Sequence, residues 1–119
     1  MRDFRELNVW RKAHPLTIAV YHATLGYPKE EMYGLTSQTR RAAVSVPANI
    51  AEGCGRAGGA DFGRFLQMAM GSASELEYHL LLGRDLGFLE KGAYLKLESD
   101  VLEVKRMLAS LIKKLRAES

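Results

Sequence analysis

Residues 94–115, YLKLESDVLEVKRMLASLIKKL, decide the fold class of this 119-residue chain. Tyr94, Leu97, Val101, Val104, Leu108, Leu111 and Leu115 advance in alternating steps of three and four, the spacing of an amphipathic helix with one apolar stripe. The other faces hold Lys96, Glu98, Asp100, Glu103, Lys105, Arg106, Lys113 and Lys114, a solvated side. Upstream, Phe62, Phe65 or Leu66, Ala69, Ala73, Leu76, Leu80 and Gly83 repeat the pattern. Asp61 is expected to cap that helix, and Gly87 to end it in a left-handed conformation.

The first half is helical too, with more punctuation. Leu7, Trp10, His14, Ile18, Tyr21 and Leu25 share a stripe that Gly26, Tyr27 and Pro28 bring to a stop. Pro15 withdraws the donor for the Arg11 carbonyl, so this helix either kinks there or becomes regular only near His14. A second helix is expected from about Thr36 or Ser37 to Ala51, rich in small residues such as Ala42, Ala43 and Ala48. Pro47 inside it should produce a kink and free the carbonyl of Ala43 for Asn49, a nearby hydroxyl or water. No segment alternates with the period of a strand, and the three connections, near 28–35, 53–60 and 87–91, are short. The expected fold is therefore all-α: one domain over residues 1–119, an up-down-up-down antiparallel four-helix bundle with a Pro-kinked second helix. Gly63, Gly71 and Gly83 interrupt the third helix at about 1 kcal/mol each relative to Ala, so close helix contacts are expected there.

Composition bounds the function. The length excludes a multidomain enzyme, and 47% hydrophobic with 26% charged residues excludes a disordered tail. Seventeen Lys and Arg against fourteen Asp and Glu give +3, too mild for a dedicated polyanion binder. Cys54 is alone, so it forms neither an internal disulfide nor a thiolate metal cluster. Residues 1–6 lack the apolar middle of a secretory signal. The longest run free of Asp, Glu, Lys and Arg, Ala13–Pro28, falls short of the roughly 20 apolar residues of a membrane span. A soluble cytoplasmic protein without membrane contact is expected.

The run Ser37 to Gly53, with Arg41, Pro47, Asn49 and Glu52 inside it and Gly55 and Arg56 behind, resembles the signature of the bacterial four-helix bundle family encoded in intervening sequences of ribosomal RNA genes. Phe65, Leu66, Ala69, Gly71, Ser72, Glu75, Leu76 and Glu77 resemble its third helix, and Leu7, Val9, Trp10 and Ala13 its first. The resemblance implies a cytosolic, non-enzymatic bundle assembled as a homopentamer. More distantly the chain resembles the accessory variability determinant of diversity-generating retroelements, a basic pentamer that binds nucleic acid.

The chemistry-bearing residues point the same way. Di-metal bundles use Glu-x-x-His pairs, and here Glu75 and His79 are four apart, so no metal or other cofactor is expected. Cys54, His14, His22 and His79 form no nucleophile-and-base motif, so no catalytic residue and no small-molecule substrate are expected. Cys54 reads as a loop residue. The glycine-rich run Gly53 to Gly59 follows a helix and lacks the Gly-Lys-Ser/Thr ending of a phosphate loop; Gly53 reads as a helix cap. Arg41 or Arg40 could pair with Glu52, Glu75 or Glu77 across helices two and three, or each could stand as a solvated ion pair. Helix one carries a second apolar stripe, Val9, Ala13, Leu16 and Val20, and this surplus calls for a partner surface, most simply a ring-like homo-oligomer. Net charge by segment is +2, +1, −3 and +3 for residues 1–28, 29–60, 61–90 and 91–119. Arg11, Lys12, Lys105, Arg106, Lys113, Lys114 and Arg116 are therefore the candidate nucleic-acid contacts. Two functions follow: a non-enzymatic oligomer that engages RNA or a ribonucleoprotein, or a protein-interaction scaffold with no nucleic-acid role.

Overall fold

The computed structural model describes residues 2–118, and among them there are four α-helices and no strand. They are α1 (Asn8–Thr24), α2 (Leu35–Cys54), α3 (Gly59–Asp85) and α4 (Lys91–Glu118), with short 3-10 turns at Phe4–Glu6 and Lys29–Glu31. α1 and α3 each pack on both α2 and α4, while the diagonal pairs have no backbone approach within 8 Å. Neighbours run antiparallel: Thr17 meets Ala43 and Thr24 meets Arg40, Gly53 meets Phe62 and Phe65, and Lys12 meets Asp100 and Glu103. The result is a four-helix bundle of 46 × 23 × 20 Å.

Both internal prolines are accommodated within continuous helices. α1 is regular from Asn8, six residues before His14, and Pro15 lies on its exposed side, where water can serve the freed carbonyl. α2 is helical through all 20 residues, longer at both ends than its sequence pattern indicated. Pro47 is buried, so the carbonyl it frees needs a protein donor. Thr17 of α1 supplies it: its hydroxyl lies 3.0 Å from the Ala43 oxygen and 3.0 Å from its own helix's Ala13 oxygen. Asn49 instead donates to Ser45, at 2.8 Å.

This contact accompanies a correction to α1. Val9, Ala13, Leu16, Val20 and Thr24 face the core, and the stripe of His14, Ile18, Tyr21 and Leu25 faces out. Both stripes have helical spacing, so periodicity alone could not rank them. The α1–α2 seam is built from small residues, Ala13, Ala42 and Ala43, all at most 3% exposed, which leaves no room for Tyr21 or Trp10. On α4 the stripe holds from Tyr94 to Leu108, then passes to buried Ile112 while Leu111 and Leu115 are half-buried. A strict 3.5-residue repeat drifts around a 3.6-residue helix by about 20° per heptad, which accounts for the handover.

Helix ends follow local chemistry. Glu31 Oε1 accepts from Leu35 N at 3.0 Å at the start of α2. α3 starts at Gly59, two residues before Asp61, whose carboxylate pairs with Arg64 in the first turn rather than capping. Its other end is as expected: Gly87 has φ +80°, Phe88 N donates to Gly83 O at 2.9 Å and Gly87 N to Arg84 O at 3.0 Å, a Schellman motif.

Glycines within helices divide by what surrounds them. A Cβ on Gly53 would lie 2.8 Å from Phe65 Cβ, and one on Gly83 would collide with the Tyr27 hydroxyl, so both permit close approach. Gly63 and Gly71 have open space, so the contact expected there is absent. Gly71→Ala should therefore stabilise the protein by about 0.5–1 kcal/mol, and Gly53→Ala should destabilise it by about 1–3 kcal/mol, in urea melts. Equal effects would contradict this division.

Candidate nucleic-acid interface

The antiparallel order brings the starts of α1 and α3 and the ends of α2 and α4 to one end of the bundle. Arg2 joins them, its backbone N–H donating to Cys54 O at 3.1 Å and its guanidinium lying 4.3 Å from the Phe62 ring centre. Several cations here are neutralised locally: Arg5 by Asp3, Arg56 by Glu52 and Arg64 by Asp61, at 3.3, 2.9 and 3.2 Å. Arg2, Arg11, Arg106, Lys113 and Lys114 form no ion pair among the described residues. Against them stand the exposed carboxylates Glu6 and Glu118. Arg11 Nε donates to Arg5 O at 2.8 Å, which orients the guanidinium and leaves its charge.

Two helix N-termini add to this field. Neither Leu7, before α1, nor Gly58, before α3, makes a side-chain capping bond. First-turn N–H groups and the positive dipole ends thus point to the same end of the bundle as the excess cations. Beside the α1 start, Leu7, Val9, Met107 and Leu111 line a cavity of ≈ 480 Å³ rimmed by Glu103, Arg106, Ser110 and Lys114. Beside the α3 start, Arg2, Arg64, Gln67 and Arg116 border another of ≈ 670 Å³. The contribution of the α3 end was not legible, because Asp61 looked like its cap.

Two of the sequence candidates are spent on structure. Lys12 bridges α1 to α4 through Asp100 at 3.2 Å and Glu103 at 3.4 Å, and Asp100 holds its ammonium above the ordinary lysine range. A raised lysine pKa means that this contribution is complete below the ordinary value and is lost only as pH climbs through the raised one. Lys105 ties α4 to α3 through Glu77 at 2.8 Å, both half-buried. Of the seven candidate contacts, Arg11, Arg106, Lys113, Lys114 and Arg116 remain as exposed cations.

The polar motif of α2 and α3 forms no buried pair across those helices. Arg41 is exposed and makes no ion pair among the described residues, Glu52 turns to Arg56, and Glu75 is exposed with His79 Nε2 at 3.6 Å. Arg40 faces α1, where its Nε donates to Thr24 Oγ1 at 2.8 Å and its guanidinium lies 4.7 Å from the Tyr21 ring centre. The reason is positional: Arg40, one residue before Arg41, lies on the α1 side of α2, next to buried Thr24. Gly53 is a packing residue inside α2, and Gly55 is the C-cap. Cys54 is a buried helix residue, not a loop residue, and burial pushes its thiol pKa up. Among the described residues no three His, Cys, Asp or Glu side chains converge as metal ligands would.

These features define a helical bundle with one cation-rich end. The chain belongs to the 23S rRNA-intervening sequence protein family, whose model matches residues 5–110. It is also similar to a crystal structure from Bacteroides thetaiotaomicron described as a protein with unknown function from the S23 ribosomal protein family. That similarity has a TM-score of 0.80 and 26% identity over 88% of this chain and 98% of the other. A search of curated proteins finds no match. No helix among the described residues is long and apolar enough to cross a membrane.

The burial of Cys54 sets an expectation. In native protein at pH 8, Ellman's reagent should modify it about 100-fold or more slowly than in denaturant, because reaction requires opening of the α2–α3 contact. Equal rates would contradict the buried placement.

Proposed function

We propose that this protein is a non-enzymatic, cytoplasmic homo-oligomeric bundle that binds RNA or a ribonucleoprotein through its cation-rich end. The observation that carries this reading is the meeting of Arg2, Arg11, Arg106, Lys113 and Lys114, which form no ion pair among the described residues, with two helix N-termini that lack a side-chain cap, at one end of the bundle. Each phosphate contact is weak alone, and each chain offers only a few. Identical subunits in one assembly would present the same cations several times to one strand, raising affinity without new chemistry. The number five for that assembly comes from the family resemblance. The outward apolar stripe of α1 supports oligomerisation independently.

A second reading, a protein-interaction scaffold, draws support from the largely apolar cavity of Leu7, Val9, Met107 and Leu111. It expects capture of a protein partner that survives nuclease treatment.

The nucleic-acid reading is tested with mixed-sequence single-stranded RNA by fluorescence anisotropy. Binding at 50 mM salt should fall steeply by 200 mM. Arg106→Ala and Lys114→Ala should each reduce the slope of log K against log salt by about 0.7 per lost contact and per engaged subunit. Lys12→Ala and Lys105→Ala should change the slope little, since those charges are already neutralised. No salt-sensitive binding at 50 mM contradicts the reading.

A further inference from the structure

Four planar groups touch in series at the start of α1. The Arg5 guanidinium lies 4.5 Å from the Phe4 ring centre, and Phe4 meets Trp10 edge to face with ring centres 4.9 Å apart. Trp10 in turn stacks on His14 at 4.9 Å, the two rings only 7° from parallel. Phe4 and Trp10 are half-buried against the core, which holds the ladder in place, and His14 is exposed. A fixed base therefore ends on an imidazole in solvent.

Charge around this ladder is one-sided. No Asp or Glu occurs from Leu7 to Lys29. Arg11 lies three residues before His14 on the same side of the helix, with its Nε donating to Arg5 O at 2.8 Å. Of the carboxylates that approach, Asp3 pairs with Arg5, Glu52 on α2 turns to Arg56, and Asp100 and Glu103 on α4 are held by Lys12. Glu6 and Glu118 remain exposed at this end, against Arg2, Arg11, Arg106, Lys113 and Lys114. Apolar area is small here, since two rings are half-buried and the projecting one is polar, so a protein partner would gain little by burial. A nucleobase gains by stacking instead, and its ring face is free only where the strand is unpaired.

We propose that Trp10 and His14 form a base-stacking platform for single-stranded RNA, an unpaired base extending the ladder at His14 while Arg11 meets an adjoining phosphate. The inference rests on the nucleic-acid reading above and adds to it the strand state that is recognised and the place where a base lies.

Trp10 is the single tryptophan of the chain, so its fluorescence reports on the platform itself. The full chain is titrated at 50 mM salt with a single-stranded RNA and with an RNA duplex of equal phosphate number, following Trp10 emission and the anisotropy of labelled RNA. The single strand should quench Trp10, and the bound duplex should not. His14→Ala, on an exposed side chain, should weaken single-strand binding about fivefold or more and leave duplex binding unchanged. His14→Tyr keeps a ring and should hold single-strand affinity within about twofold of the wild type. Circular dichroism melts check that both variants fold. Binding of the single strand without quenching of Trp10 overturns the platform while the nucleic-acid reading stands. Unchanged single-strand affinity in folded His14→Ala, or an equal loss for strand and duplex, overturns it in the same way. If neither RNA binds at 50 mM salt, the nucleic-acid reading falls and the platform with it.

Discussion

One buried carbonyl organises the first half of this protein. Pro47 has no N–H, so the Ala43 oxygen loses its donor inside a helix seam closed to water by Ala13, Ala42 and Ala43. Leaving it unmet costs about 1–3 kcal/mol, a large share of the roughly 5–15 kcal/mol by which small proteins are stable. The Thr17 hydroxyl meets it from the neighbouring helix, one proton placed between two carbonyls at 3.0 Å each. Because the contact crosses from α1 to α2, it holds α1 in the rotation that the small residues of the seam allow, as well as satisfying an atom.

That rotation decides what the surface offers. It turns Val9, Ala13, Leu16 and Val20 inward, and with them Thr24, whose hydroxyl then receives Arg40 at 2.8 Å. Ile18, Tyr21 and Leu25 turn outward together, so the same constraint that seals the seam creates an uncovered apolar face. The cation-rich end has a different origin. It follows from chain direction, since antiparallel packing gathers the first residues of α1 and the last of α4, both basic, at one end with two helix N-termini. The bundle therefore separates a candidate self-association surface along its side from a candidate phosphate surface at its end.

Much of the fold was legible in the sequence because the apolar repeats of α3 and α4 are long and single-valued. The Gly87 stop was legible for a related reason, since only glycine enters the left-handed region at little cost. α1 was ambiguous because two stripes satisfy one period, and only the size of residues on the partner helix ranks them. Lys12 and Lys105 looked like free cations because Asp100, Glu103 and Glu77, which neutralise them, lie on other helices. A buried pair of Arg41 or Arg40 with Glu52, Glu75 or Glu77 stood open beside solvated ion pairs, because sequence proximity to packing residues does not reveal which side of a helix a charge occupies. Cys54 and Gly53 read as loop and cap because the final turn of α2 contains no periodic apolar residue beyond Ile50 except Cys54 itself.

The central claim, that Pro47 and Thr17 act as one unit through the Ala43 carbonyl, is tested by a double-mutant cycle in urea unfolding with Thr17→Val and Pro47→Ala. Alanine at position 47 restores the N–H that the Ala43 oxygen lacks. Thr17→Val should then cost about 1–3 kcal/mol beside Pro47 and less than about 0.5 kcal/mol beside the alanine, a coupling of at least about 1 kcal/mol. Additive effects, equal within about 0.5 kcal/mol in both backgrounds, would contradict it.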